Sequence, residues 1–472
     1  MGNKKIVVIG AGMSGLGAAW RLSELGVSVE VFEAEERPGG MAATHVSDGF
    51  RFDFGIHGFF ASRPGTEAVL SRIKALLKDE LIEVTKATSI YFRKRYVAYP
   101  VQAKDLFLAL SPGLALWCFL DFFRTRVKRR LGVRQPEASF EQWITARFGR
   151  ALYNIYFKPY AQKVWGVDPG ELSAEWLVRR VTTVSLWDVI RKALRQIAGL
   201  GAERRHEYSQ QPLRFLYCRR GAGAPAQVIA DLVEKAGGKI HLRSRVVEML
   251  RSGNQVTGLV IEDAAGQRQQ SCDAVISTIP VQALIKMLSP PIDENITAAA
   301  AQLRSRNLIF VFLKLNKPRV FHEQWVYYPD PATPFNRVNE FTNICADFAP
   351  LGKTGLCLEL ACFSEDEIWH APDKAIFARC AEAMEKLGLV ETSEVIGYDV
   401  IRMSYVYPIF TVQTAPLLQR VIEHVKTYKN LVTIGRQGLF QYINMDEALE
   451  QGAQAAMQMT ERLGLARLDR VH

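Results

Sequence analysis

Short unbroken apolar runs, separated by stretches of helical spacing, predict a chain that begins with a strand, a helix and a second strand. Lys5-Ile6-Val7-Val8-Ile9 shows no polar alternation, the pattern of a strand buried on both faces. Leu16, Ala19, Leu22 and Leu25 then recur on one helical face, and Val27-Ser28-Val29-Glu30-Val31-Phe32 reads as the next strand. At the other end, Asn430-Leu431-Val432-Thr433-Ile434-Gly435-Arg436 predicts a strand ending in Gly-Arg. A helix is expected over about 447–459, capped by Asn444 or Asp446, with Gly452, Ala453 and Ala456 small enough for close packing. Residues 96–214 look helical and rich in aromatics and arginine. Around 213–290 the strand–helix pattern returns, with a turn at Arg219–Gly223, a helix over 225–236, and strands near 239–242, 245–249, 255–261 and 274–278. Runs at 308–313 and 355–360 predict a further sheet within 291–424.

The first strand runs into Gly10-Ala11-Gly12-Met13-Ser14-Gly15, and the second ends at Glu33. Gly10 permits a tight turn, Gly12 lets backbone approach a pyrophosphate, and Gly15 lets helix and strand pack closely. The following helix offers unpaired N–H groups to phosphates, and Glu33 can accept from a ribose diol. A GxGxxG in this strand–turn–helix–strand setting is a specific signal for a dinucleotide. Just beyond lies Glu33-Ala34-Glu35-Glu36-Arg37-Pro38-Gly39-Gly40-Met41, then Gly49-Phe50-Arg51-Phe52-Asp53-Phe54-Gly55-Ile56-His57-Gly58. Gly40 and Met41 could lay backbone along the diphosphate, with Arg37 meeting its charge.

These two segments resemble the signatures of the superfamily of FAD-dependent amine oxidases, protoporphyrinogen oxidases and phytoene desaturases. The resemblance implies FAD rather than NAD. It also implies an α/β (α+β overall) architecture, in which a Rossmann-like FAD-binding domain is interleaved with a substrate domain of helices and an antiparallel or mixed sheet. The expected parts are 1–95, 215–290 and 425–472 for the FAD domain, with 96–214 as a helical substrate or cap region and 291–424 as the substrate sheet. Carried onto this chain, the cofactor residues are Gly10, Ala11, Gly12, Met13, Ser14, Gly15, Glu33, Ala34, Arg37, Gly39, Gly40, Met41, Gly55, His57, Val246, Gly435, Arg436, Asn444 and Met445. Ser277-Thr278-Ile279-Pro280 matches the superfamily's strand end near the dinucleotide, and the last helix points its positive end at the flavin.

A more individual segment is Phe157-Lys158-Pro159-Tyr160-Ala161-Gln162-Lys163-Val164-Trp165-Gly166, followed by Glu171-Leu172-Ser173-Ala174-Glu175-Trp176. It is similar to a segment of the UDP-galactopyranose mutase branch, as is the turn Tyr99-Pro100-Val101-Gln102. Tyr160 and Trp165 offer flat faces with one polar atom each, suited to a sugar, a base or an aromatic substrate, or else to packing in a helical core. The superfamily implies hydride transfer from a C–N or C–C bond of a small-molecule substrate to flavin. The mutase branch implies instead isomerisation of a UDP-sugar by reduced flavin, with Arg306, Arg402, Arg436, Tyr405 and Tyr407 as candidates for a diphosphate. His57 is the catalytic candidate, placed at the flavin face or its edge.

Composition adds bounds. The 472 residues, 48% hydrophobic and 23% charged, suit a globular enzyme with room for two domains. The seven cysteines are scattered without a CxxC, which argues against a disulfide framework or zinc site and suits a reducing, cytoplasmic setting, with no secretory leader expected. No metal site is expected, and oligomeric state is not encoded in any visible pattern. The net charge of +10 is partly local: Arg124, Arg126, Lys128, Arg129, Arg130 and Arg134 crowd one stretch behind an apolar run over 106–123. Pro112-Gly113 interrupts that run, so it is not expected to span a membrane. The segment 106–130 is expected either to pack as a core helix or to touch the inner face of an anionic membrane peripherally. A single basic cluster without a reading module does not predict nucleic-acid binding.

Overall fold

The computed structural model describes residues 4–60, 65–99, 110–132, 137–174 and 213–465. Residues 100–109, Arg134, Glu175 and Trp176, which the sequence reading touched, lie outside this set.

The buried apolar runs assemble first into a five-stranded parallel sheet. Lys5–Ile9 lies at its centre, flanked by Ala274–Ser277 and then Leu431–Thr433 on one side, and by Ser28–Phe32 and then Lys239–His241 on the other. Strands far apart in sequence are thus neighbours, and the order reverses beside the first strand. Open parallel sheets bind ligands at such a switch point. The Met13–Glu24 helix covers one face, against the Ala224–Lys235 helix and, most closely, the Met445–Arg462 helix. Glycines set that approach. A methyl group on Gly452 would fall 2.2 Å from the Ser14 carbonyl oxygen, and one on Gly17 would fall 2.4 Å from that of Leu449.

A seven-stranded sheet forms the second layer. Its order is Val395–Pro408, Ser305–Leu315, Thr354–Cys362, Arg337–Glu340, Trp325–Tyr327, Thr88–Phe92 and Arg95–Ala98. All pairings are antiparallel except that of Trp325–Tyr327 with Thr88–Phe92, so the sheet is mixed. Among the described residues of the 96–214 stretch, helices Pro112–Arg130, Phe140–Phe148 and Lys158–Trp165 dominate, as their aromatic-rich pattern predicts. The strand predicted at the C-terminal end stops at Thr433, because Gly435 turns with φ +84° and Gly435–Gly438 winds into a short helical turn.

Candidate functional site

Three chain segments meet where the parallel strands end. Gly10 turns with φ +96° while its N–H donates to the Phe32 carbonyl at 2.8 Å. Thr278 closes the adjacent strand by donating to the Ile9 carbonyl from both its N–H and its hydroxyl, each at 2.9 Å. Gly435 lies against the Ser14 side chain. Gly12, at the N-cap of the Met13–Glu24 helix, faces open space, with no atom within 4 Å of where a Cβ would stand. That helix has no side-chain cap and no acid in its first turn. Gly39 donates to the Ala11 carbonyl at 2.8 Å, so the second glycine turn, with Gly40 and Met41, lies along the first. An uncapped helix start with an open glycine beside it is a cradle of N–H donors that fits a diphosphate.

Glu33 stands at the edge of this cradle, buried, accepting from the Ala11 N–H at 2.6 Å and the Glu35 N–H at 3.0 Å. Burial raises its pKa against those bonds. Each oxygen keeps a lone pair for a ribose hydroxyl. Ala34 follows it in the loop, where the Ser244 N–H donates to the Glu33 carbonyl. That contact places Val246, whose side chain is buried, at the start of the next strand. Arg37 reaches back to the Thr44 carbonyl and pairs with Glu36. At the other end, Asn444 and Glu447 form a reciprocal cap ahead of Met445, and Arg436 braces the intervening loop through the Ile443 carbonyl and the face of Tyr442. These residues fit a dinucleotide lying from Glu33, past Gly12, toward Arg436 and Asn444.

Beside that end lies a second cluster, assembled from distant strands. Arg337 and Glu359 stand directly opposite each other in adjacent antiparallel strands. Arg337 donates to Glu359 Oε1 from Nε at 2.7 Å and from Nη2 at 2.6 Å, and Asn339 adds a third donor at 2.8 Å. Glu359 is fully buried. Burial alone would lower the Arg337 pKa, but the Glu359 carboxylate outweighs it and holds the guanidinium well above its ordinary value. Gly55, with φ +90°, sits on this pair: a Cβ there would lie 2.8 Å from Arg337 Nη2.

Around Arg337 stand Tyr160, Tyr327 and Tyr407. Tyr327 packs on Tyr160 and Tyr99 at 6.0 and 5.7 Å between ring centres, and Tyr407 stacks on Tyr442 at 6.0 Å. Tyr156 joins from a π-helical turn, Tyr153–Phe157, a local irregularity common where a chain aims a side chain into a site. These rings are half-buried. Burial raises the pKa of Tyr156, Tyr160 and Tyr407 and keeps them as neutral phenols. His57 faces the same cluster. Its Nε2 donates to the Phe54 carbonyl at 3.0 Å, and burial, aided by the Arg436 and Arg337 charges, pushes the imidazole down to about 3.

The other sequence candidates lie elsewhere. Trp165 is buried in the helical core, its ring centre 6.1 Å from that of Tyr407 in a T-shaped pair. Arg306 donates to the Ala361 carbonyl and stacks on Phe363, and Arg402 holds Trp369, Ala371 and Asp373. Tyr405 is exposed, with φ +57°. Lys163 braces the 328–333 loop through the Tyr328 and Asp330 carbonyls and the Thr333 hydroxyl at 2.7–2.8 Å. Asp53 accepts from Tyr217, Ala222 and Thr44, tying the signature segment to the 217–223 turn, and burial raises its pKa to about 6. Sequence reasoning missed Arg337, Glu359 and Tyr327. A lone acid inside the run Gly355-Leu356-Cys357-Leu358-Glu359-Leu360 was the available signal, since a buried carboxylate requires a partner.

Comparison with known proteins gives a family and a fold. The model of the family "flavin containing amine oxidoreductase" matches residues 13–460. Mitochondrial protoporphyrinogen oxidase of Nicotiana tabacum is 26% identical over 305 residues, 59% of this chain and 58% of the tobacco enzyme. A probable UDP-galactopyranose mutase of Klebsiella pneumoniae is 24% identical over 181 residues, 38% of this chain and 45% of that protein. The aligned stretches thus span less than two thirds of either relative. In fold, the crystal structure of reduced UDP-galactopyranose mutase superposes with a TM-score of 0.83 at 23% identity, covering 99% of this chain and 98% of the other.

Proposed function

The chain belongs to the flavin-containing amine oxidoreductase family, and from that premise we propose that it is a reduced-flavin-dependent isomerase of a nucleotide sugar. Membership implies a flavin-binding domain. In this reading the Gly10–Gly15 turn, with Gly39, Gly40, Met41 and Arg37, would hold the diphosphate of FAD, and Glu33 would hold its ribose. Val246 would contact the adenine, and Gly55, His57, Gly435, Arg436, Asn444 and Met445 would border the flavin. When bound, reduced flavin supplies an electron-rich centre able to attack an anomeric carbon.

The observation that carries the reading is Arg337. Nη1 has no protein partner among the described residues, while Glu359 fixes the other side of the guanidinium among half-buried phenols. A guanidinium held in this way presents a planar donor face to phosphate oxygens. The protonated tyrosines can donate to sugar hydroxyls or phosphate, and the enclosed site excludes water from the anomeric carbon. Arg337 therefore binds and orients the diphosphate, Tyr160 and Tyr407 position the sugar, and neutral His57 adds no charge beside the flavin. The Klebsiella relative and the mutase fold favour the same reading.

A second reading is hydride transfer from a C–N or C–C bond to flavin. The longer tobacco alignment favours it, 59% of this chain against 38%. Titrating the flavin-loaded protein with UDP separates the two. Binding that perturbs the flavin spectrum, and that Arg337→Met weakens at least about tenfold by removing a charge-assisted pair, supports the isomerase. UDP that leaves the spectrum unchanged, or that binds Arg337→Met equally well, overturns it.

A further inference from the structure

The Pro112–Arg130 helix carries an outward apolar stripe that the site does not use. Its inner face is docked: Cys118 and Phe122 are buried, and the Asp121 carboxylate accepts from the Ala151 N–H at 2.8 Å. The outer face is exposed, with no described element packed on it. Leu116, Leu120, Phe123 and Val127 follow one another at the i, i+4, i+7, i+11 spacing of a single helical stripe, and are 59%, 55%, 55% and 39% exposed. Trp117 and Phe119 flank the stripe at 52% and 38%, and Leu131 extends it just past the helix end. A contiguous exposed apolar face of this kind marks an interaction surface.

The charges around the stripe select the partner. At 100° per residue, Arg124 and Lys128 fall along one side of the stripe and Arg126 and Arg130 along the other, with Arg129 beyond them. The only acid of the helix, Asp121, is turned inward. An apolar ridge between rows of cations fits the boundary between acyl chains and anionic headgroups, with Trp117 at the polar edge. A second copy of the chain would bring the same cations against this face and repel it. Among the described residues no helix is long and apolar enough to cross a membrane, so the helix would lie in the surface plane. We propose that the outward face of the Pro112–Arg130 helix docks the protein on an anionic lipid bilayer. The helix abuts Arg150–Leu152 and, through it, the π-helical turn carrying Tyr156, so docking sets the membrane against the outer side of one cavity wall.

The test is co-sedimentation of the full-length, flavin-loaded protein with phosphatidylcholine vesicles, with and without phosphatidylglycerol. Selective binding to the anionic vesicles is expected. The triple variant Leu116→Ser/Leu120→Ser/Phe123→Ser should lose it with flavin content and unfolding midpoint unchanged. Arg124→Glu/Lys128→Glu, confined to exposed side chains, should weaken it by at least about fivefold per cation lost. Failure of the wild type to bind anionic vesicles overturns the proposal. So does equal binding by the charge variant, or self-association in sedimentation equilibrium that the serine variant abolishes.

Discussion

Glu359→Gln is the sharpest probe of how the cavity holds its cation. The substitution is nearly isosteric and leaves a carbonyl to accept from Arg337 and Asn339, so hydrogen bonding and packing change little while the charge disappears. Unit charges about 4 Å apart interact by about 4 kcal/mol at the effective dielectric of a partly solvated site. Removing one partner of a buried pair typically costs about 3–5 kcal/mol. The retained hydrogen bonds, and the 18% exposure of the Arg337 side chain toward the cavity, reduce this to about 2–3 kcal/mol. Urea unfolding of the flavin-loaded protein measures it. The double variant Arg337→Met/Glu359→Gln should recover at least about half of the loss, because no lone buried charge remains. A single variant within about 0.5 kcal/mol of wild type, or strictly additive effects in the double, would refute the reasoning, since contacting charges must couple.

Gly452→Ala should force the Met445–Arg462 helix off the Met13–Glu24 helix, because a methyl 2.2 Å from the Ser14 carbonyl meets backbone. A destabilisation of about 1–3 kcal/mol with loss of bound flavin is expected, read by the unfolding midpoint and the flavin-to-protein absorbance ratio. His57, pushed down to about 3 by burial and by the Arg436 and Arg337 charges, makes stability fall on acidification. The unfolded imidazole titrates near about 6.5 and binds the proton first, so the contribution is complete above that pH and drains away toward about 3. His57→Gln should flatten this part of the stability–pH curve; an unchanged slope would show that His57 is not the group responsible. Lys163→Met should cost about 1–3 kcal/mol by leaving the Tyr328 carbonyl without its Lys163 donor, while the Asp330 carbonyl keeps the Thr333 donors, with flavin binding intact. Selective loss of flavin, with stability unchanged, would contradict that bracing role.

The parts of the molecule that depend on neighbouring residues were legible in the sequence. Gly10, Gly12, Gly15 and Glu33 act within one strand–turn–helix–strand unit, so their spacing alone specifies the turn, the open glycine and the buried acid at the strand end. The same holds for the small residues of the Met445–Arg462 helix, where Gly452 meets Ser14. The cavity was less legible because its residues meet only through sheet register. Arg337 and Glu359 are 22 positions apart and become partners because two antiparallel strands align them, which no local pattern encodes. Arg306 and Arg402 look equally suitable in sequence, yet register turns them toward the carbonyls of Ala361, Trp369 and Ala371. The apolar stretch before Arg124 was ambiguous for another reason. Leu114, Cys118 and Phe122 are as apolar as Leu116, Leu120 and Phe123, and only the packed fold decides which row is covered.

Turnover of UDP-galactopyranose and UDP-galactofuranose by the purified protein, followed by chromatography of the sugar nucleotides with the flavin fully reduced and again fully oxidised, tests the central claim most directly. Interconversion by the reduced protein alone, lost in Arg337→Met while flavin remains bound, is the predicted result. No interconversion in either state, with flavin reduced instead by an amine or a tetrapyrrole, would contradict it and assign this cavity to hydride transfer.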